Sequence, residues 1–549
     1  MSEQVVIVGF GPVAARLVDE LLPAVRSGSL NLTVVGAEAE AAYNRVLVAD
    51  LGVGRTTADA LALSDADALA AEGVDVRLGV RVRRVDRARQ QVLLSDGAVA
   101  HYDRLVFATG SRPVIPNLTG INPDPTSPVL PAGVTALRDL RDAEVLRQAV
   151  DGGKRVVVLG GGVLGLETAL AAAEEGATVT VVHNGPHPLG RNIDRGGGAV
   201  LAASLRRCGV RMAGNARSTG VEHNGADGGF SALLLDDGSA IDGDLLVISC
   251  GVRPRTELAE GCGLSTSAGI LVDHRLRAHH EPHIFAVGDC AEVRCPDPDC
   301  ARCRNAKGPS GLVGPGWRQA EWLAEYLTLL ASAAPAAAEL LPELPAEQAG
   351  VIVLKARGMN MAVAGDNTAE PWDEEILTAG AVNGRPRLQI AQWADPEHGR
   401  YVKMTTRGGV LEGIVAVGMP RTAAELVGLF ERGAELPADR SLLLRLDGPD
   451  QLPGSAADPQ GTVCRCAGVS GAVIAGAVEE GCSTVAEVSK ATRAGTGCGG
   501  CHEDIKGLIE KHFQAVSTSS PAAPNLPGPD RRPAIERVEA CALTQEPLE

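Results

Sequence analysis

Aromatic residues are scarce, at 3% of 549 residues, so the cores must be filled mostly by Ala, Val and Leu. Positive charge is also in short supply: 51 Lys and Arg against 68 Asp and Glu leave a net charge of -17. That balance argues against a nucleic-acid partner, whose phosphates would be repelled. No apolar run reaches the roughly 18 residues that a membrane span requires, so no membrane partner is expected. The chain opens on Ser2-Glu3-Gln4 and passes straight into a strand pattern. No positively charged segment precedes an apolar one there, so no secretory signal is expected, and the expected compartment is the reducing cytoplasm. Thirteen cysteines in a chain this long do not describe a small disulfide scaffold, and none precedes Cys208. The length leaves room for about three or four domains.

What the chain does have is a cysteine-bearing stretch from Val463 to His502. Cys464 and Cys466 stand one residue apart, and Cys498 and Cys501 follow further on with two residues between them. Iron clusters take soft thiolate ligands, usually four, delivered in close pairs from tight turns. Gly495, Gly497, Gly499 and Gly500 would let the backbone wrap a metal centre without side-chain clashes. Between the pairs Val473, Ile474, Ala477 and Val478 keep helical spacing, and Gly481 is placed to end that helix. A structural zinc site or a pair of disulfides would use the same four residues. The stretch from Thr462 to about Ile509 resembles the 2Fe–2S domain of the bacterioferritin-associated ferredoxin type, which implies a 2Fe–2S cluster on Cys464, Cys466, Cys498 and Cys501.

A nucleotide fingerprint stands at the other end. Val5 to Val8 is an apolar run leading into Gly9, Gly11 and Ala14, with a helix pattern from Ala14 to Leu22. This G-x-G-x-x-A permits a tight turn and lets a pyrophosphate rest on a helix N-terminus. A second strand, Leu32 to Val35, brings Glu38 to where an acid can take ribose hydroxyls. A second fingerprint opens at Val156, with Gly160, Gly162 and Gly165 before Glu167 and a further strand from Thr178 to Val182. The two form an internal repeat. His183 and Asn184 stand where an acid usually marks NADH, and Arg191 could meet a 2′-phosphate, so the nicotinamide nucleotide is left as NAD(P)H.

Three further segments match flavin-dependent pyridine-nucleotide reductases. They are Tyr43-Asn44-Arg45 in the Y-[DN]-R form, Thr109-Gly110 in Y-D-R-L-V-F-A-T-G, and Asp289 in I-F-A-V-G-D. The plan resembles two-dinucleotide flavoproteins, in which the first fold holds FAD and an inserted one holds the nicotinamide nucleotide. The resemblance implies an FAD site at Gly9, Gly11, Ala14, Glu38, Arg45, Thr109, Gly110 and Asp289. It implies an NAD(P)H site at Gly160, Gly162, Gly165 and Glu167, with Glu167 near the nicotinamide. Leu245 to Pro254 is similar to the strand that closes the inserted domain. A helix from about Gly316 to Leu330 would aim its positive end at the flavin. Short strands between Gly350 and Leu446, with a helix at Ala423–Arg432, resemble the family's third domain.

The expected fold is α/β. A FAD-binding domain takes residues 1–120 and 255–331, and an NAD(P)-binding domain 121–254. An α+β third domain follows at 349–446 and a small helical 2Fe–2S domain at 461–512. Ser332 to Gln348 reads as a linker or a poorly packed helix pair, Asp447 to Gln460 as a linker, and 517–549 as a disordered tail. No cysteine sits near Tyr43 or on the first helix, which removes the dithiol and peroxidase chemistries of related flavoproteins and leaves electron transfer. No acid–base catalyst is nominated.

The whole resembles the front part of the NAD(P)H nitrite reductase large subunit and the electron-transfer subunit of assimilatory nitrate reductase. Because the chain ends in a tail where the former continues into a sirohaem domain, the expectation is that it does not reduce nitrite itself. It would pass electrons from NAD(P)H through FAD and the cluster to a separate molybdenum nitrate reductase, or to a separate nitrite reductase. The alternatives are a general ferredoxin or rubredoxin reductase, and an iron-handling or redox-regulatory protein that docks through its cluster domain. Cys295, Cys300 and Cys303 in CPDPDCARC are assigned to no iron–sulfur or zinc signature. Three loop cysteines could bind metal, with Cys290 or another residue as fourth ligand, or else are simple thiols.

Overall fold

The computed structural model describes residues 2–518 apart from 122–129, 225–227, 305–307, 333–334, 348–349, 357–358, 374–385, 445–446, 448–460, 465–466 and 498–500. Cys466, Cys498, most of the expected linker at Asp447–Gln460 and the tail from 519 lie outside the described residues.

Two five-stranded parallel sheets organise the chain. The first has the order Ile284–Ala286, Arg104–Phe107, Glu3–Val8, Leu30–Val35, Asp75–Arg77. The second has the order Arg211–Ala213, Thr178–Val182, Arg155–Leu159, Leu245–Ile248, Val134–Thr135. Their central strands are runs of Val, Ile and Leu with both faces covered, as parallel strands require; Val5, Val6, Ile7, Val157 and Val158 are all essentially inaccessible. Each sheet carries a three-stranded antiparallel flap, formed by residues 82–101 and 218–242.

The expected closing strand Leu245–Pro254 is two strands. Leu245–Ile248 runs in the second sheet, whereas Val252–Pro254 pairs antiparallel with Ser111–Pro113. The break at Ser249–Gly251 lets one segment finish a sheet and then bridge back to the other, with Gly251 at φ +97° in the left-handed region. Of residues 332–348, expected as a linker or a helix pair, the described ones form one short helix at Ala336–Leu340, and Ala338 and Leu344 are buried beside the helix Val313–Leu330.

The third unit is a five-stranded antiparallel sheet in the order Ile352–Ala356, Met359–Gly365, Val410–Val417, Arg400–Arg407, Leu388–Asp395, covered by the helix Pro420–Arg432. It leans on the second parallel sheet's layer. Tyr401 hydroxyl donates to Asp194, and Lys403, with no exposed surface, lies 3.8 Å from Asp194. The last unit pairs Thr462–Cys464 with Val469–Ser470 and adds three helices, Gly471–Glu479, Val485–Thr492 and His502–Thr518. The first of these ends as expected, with Gly481 at φ +111°. Ile474, Ala477 and Val478 face inward, whereas Val473 is exposed. No described helix is long and apolar enough to cross a membrane.

Candidate functional site

The site begins with two backbone turns that only glycine can make. At Gly9 φ is +106° and a Cβ would lie 2.3 Å from the Ala108 carbonyl oxygen. At Gly160 φ is +129° and a Cβ would lie 2.1 Å from the Ser249 carbonyl oxygen. The second glycines differ in kind. A Cβ on Gly11 would meet nothing closer than 3.9 Å, and one on Gly162 nothing within 4 Å. Packing therefore does not demand glycine there, and the open space is the cradle that a bound dinucleotide would occupy. Gly165 serves close helix–strand packing instead, with its Cβ position 2.5 Å from Gly160 oxygen.

Each fingerprint feeds a helix whose N-terminal N–H groups lack a side-chain cap: Pro12–Arg26 after Gly11 and Val163–Glu174 after Gly162. The helix Val313–Leu330, which starts three residues before the expected position, is also uncapped after Leu312. Unpaired N–H groups and the positive end of the helix dipole both favour an anion.

These elements surround one cavity of about 2000 Å³. Gly9, Gly11, Glu38, Arg45, Thr109, Gly110 and Asp289 line it, and so does Glu167 from the second fold. Ala14 is buried in the first turn of its helix, Gly160 and Gly162 lie in the turn before the helix that carries Glu167, and Gly165 is buried in that helix's first turn. Arg45 is no loose surface charge. Its guanidinium pairs with Glu38 and lies 4.6 Å from the Tyr43 ring centroid, while Tyr43 hydroxyl donates to Glu38 at 2.8 Å. Burial alone would raise the Glu38 carboxyl, but Arg45 and the Tyr43 hydroxyl outweigh it and hold it below its ordinary value.

Pattern reading missed several cationic lining residues. Arg138 donates to Asp289 at 3.2 Å and to Ser111 hydroxyl at 2.7 Å, and its Nε is buried without a hydrogen-bond partner. Arg112 and Arg255 also line the cavity, and burial pulls the Arg255 guanidinium below its usual range. No motif position assigns these arginines: Arg112 comes from the strand Ser111–Pro113, and Arg138 and Arg255 from loops beyond the fingerprints. His183, which stands where an acid usually marks NADH, is buried at the end of its strand against Gly161 and Gly214. Burial lowers its imidazole pKa. Asn184 and Arg191 are exposed.

The cluster unit closes one side of the same cavity. Cys464 and Cys501 are buried in its core and line the cavity, as do Glu503 and Lys511. Gly495 N–H donates to Cys464 Sγ at 3.4 Å, and His502 Nε2 lies 2.9 Å from Gly495 oxygen. The docking contact is Asn44, whose amide donates to the carbonyls of Thr496, at 2.7 Å, and Gly497. An Arg493–Glu20 pair at 3.0 Å adds to it. Asn44 sits next to Arg45, so one motif faces the nucleotide cradle and the cluster loop together.

Comparison with known proteins agrees with this geometry. The sequence profile of the pyridine nucleotide-disulphide oxidoreductase family matches residues 3–309, and that of the BFD-like 2Fe-2S binding domain matches residues 462–511. The chain is 29% identical to the NAD(P)H nitrite reductase of Bacillus subtilis over 93% of its own length and 58% of that protein's. It is 25% identical to the assimilatory nitrate reductase electron transfer subunit of the same organism, over 96% of this chain and 62% of that one. Among solved structures, the covalent putidaredoxin reductase–putidaredoxin complex superposes with a TM-score of 0.64 at 25% identity, covering 80% of this chain and 95% of that one. The chain thus spans about three-fifths of the length of these two curated relatives. On the profile match, the paired fingerprints and the shared cavity, it belongs to the pyridine nucleotide-disulphide oxidoreductase family, as an FAD-dependent NAD(P)H oxidoreductase with an appended 2Fe–2S domain.

Proposed function

We propose that this chain passes electrons from NAD(P)H to a partner reductase of nitrate or nitrite assimilation. In this reading residues 1–120 and 255–331 bind FAD, 121–254 bind NAD(P)H, 349–446 form an interface domain, and 461–512 hold the cluster on Cys464, Cys466, Cys498 and Cys501. When bound, FAD would supply the conversion between a hydride's two electrons and the single electrons a 2Fe–2S centre takes.

The chain's own residues do the rest. Glu38, held ionised by Arg45, offers two acceptors for ribose hydroxyls. The uncapped helix after Gly11 and the arginines Arg112, Arg138 and Arg255 offer donors to a pyrophosphate. Arg138 and Ser111 orient the Asp289 carboxylate at the cavity wall. Glu167 enters the cavity from the second fold and would position the nicotinamide. Residues of the third unit and of the cluster unit line the cavity and narrow its opening to solvent.

The observation that supports the order of transfer is the shared cavity, lined by Gly9 and Gly11 of the first fingerprint, Glu167 of the second fold and two cluster cysteines. The kinship to the nitrite reductase and the nitrate reductase electron transfer subunit favours the partner class.

Anaerobic mixing of the purified protein with NADH or NADPH tests the path. Flavin bleaching should be followed by reduction of the iron centre, read by freeze-quench paramagnetic resonance. Bleaching with an iron centre that stays oxidised overturns the path. Added nitrate or nitrite reductase should then turn over its substrate at the expense of NAD(P)H; no turnover with either overturns the partner assignment.

A further inference from the structure

A second group of metal-type donors lies outside the cavity. Parallel pairing of Ile270–Val272 with Ala291–Val293 sets Val272 opposite Val293. The two strands therefore exit side by side, with His274 two residues beyond one and Cys295 two residues beyond the other. The loop from Cys295 then folds back in a tight turn. Cys300 N–H donates to Asp297 oxygen at 3.3 Å, and Cys303 and Arg304 N–H both donate to Cys300 oxygen at 3.1 Å. This turn returns Cys300 and Cys303 to His274. One donor atom from each of His274, Cys295, Cys300 and Cys303 lies within 4.8 Å of all the others. The fourth member is thus His274 and not Cys290, which is buried elsewhere with its thiol against the Phe107 and Val287 carbonyls.

Three of the six separations can be set against the edges of a single-ion site, and all six lie within 4.8 Å. A tetrahedron with metal–sulfur bonds of about 2.3 Å and a metal–nitrogen bond of about 2.0–2.1 Å has edges of about 3.7 Å between sulfurs and about 3.5 Å between sulfur and nitrogen. Cys295 and Cys303 sulfurs are 3.7 Å apart, and His274 Nε2 is 3.4 Å from Cys300 Sγ and 3.6 Å from Cys303 Sγ. The Cys295–Cys303 separation is far beyond the roughly 2.05 Å of a disulfide. Cys295 N–H also donates to Cys303 Sγ at 3.3 Å, the kind of second contact that steadies a thiolate ligand.

Although the sequence reading assigned these cysteines to no signature, the C-x4-C-x2-C spacing of Cys295, Cys300 and Cys303 does match the opening of the plant-type two-iron motif. A two-iron cluster, however, places its ligands on opposite irons further apart than ligands sharing one ion, whereas here all four donors are mutually close. We propose that His274, Cys295, Cys300 and Cys303 bind one zinc ion in a closed, structural Cys3His site, separate from the 2Fe–2S centre. The ion ties the end of one strand to the excursion that links Asp289 to the cavity-lining helix Val313–Leu330. Arg302 braces the same loop on Glu343 and the Leu344 carbonyl, and Leu344 N–H donates to His274 oxygen.

Elemental analysis of the full chain, purified without chelators from zinc-replete cells, should find about one zinc beside the iron of the cluster. Zinc K-edge absorption on the unmutated protein should fit three sulfurs and one nitrogen. A paired Cys300→Ser, Cys303→Ser variant should lose the zinc but keep its iron and flavin, while Cys464→Ser should lose iron and keep zinc. Absence of zinc, iron in its place, a four-sulfur shell, or zinc that survives the paired variant each overturns the assignment. None of these outcomes depends on electron transfer, so the site stands or falls apart from the proposed path.

Discussion

Asn44 gives the sharpest test of how the cluster unit meets the flavin fold. Its side-chain oxygen accepts from Val46 N–H at 3.0 Å and its amide donates to the Thr496 and Gly497 carbonyls. Asn44→Asp keeps the local cap and removes the donor, presenting a carboxylate to two carbonyls. A net hydrogen bond contributes about 0.5–1.5 kcal/mol, and a buried group left unpaired costs about 1–3 kcal/mol. The remaining named link, Arg493–Glu20, is a partly exposed ion pair worth about 0–1 kcal/mol. Docking should therefore weaken by about 1–3 kcal/mol, which is about 5–150-fold in the ratio of docked to undocked protein. In anaerobic stopped flow the phase in which NAD(P)H bleaches the flavin should keep its rate, while reduction of the iron centre slows by up to that factor. Flavin-to-protein ratio and melting temperature should stay close to the parent's. If both phases keep the parent's rates, Asn44 does not hold the cluster unit in its working position, and the argument from the shared cavity loses its anchor.

The two fingerprint glycines should separate the two folds. Gly9→Ala puts a Cβ 2.3 Å from Ala108 oxygen and should yield protein depleted in flavin, measured by absorbance. Gly160→Ala meets Ser249 oxygen at 2.1 Å; it should retain flavin that dithionite bleaches but NAD(P)H does not. Lys403→Met strands the buried Asp194 carboxylate and should cost about 3–5 kcal/mol in denaturant melts, with Asp194→Asn in the same chain recovering much of it. The Glu38–Arg45 pair implies a pH signature. Because the folded Glu38 pKa is depressed, its stabilising contribution is complete above the unfolded carboxylate value of about 4.3 and fades as pH falls through the lower folded value. Thermal melts of the parent and Arg45→Gln should therefore differ at pH 7 and converge in strong acid; an equal gap throughout would refute the coupling.

Residue pattern alone determined the features built from neighbours in the chain. A Val-rich strand, a glycine turn and a helix follow one another directly at Glu3–Arg26 and again at Arg155–Glu174, and their local rules act over a few residues. The same holds for the helix ended by Gly481. Tertiary structure decided what depends on partners far away in sequence. Strand register brings His274 to Cys295, loops carry Arg138 and Arg255 into the cavity wall, and docking gives Asn44 a partner more than 450 residues along the chain. Such contacts leave no periodicity to read, because they follow from how whole layers pack and not from the preferences of the residues that make them.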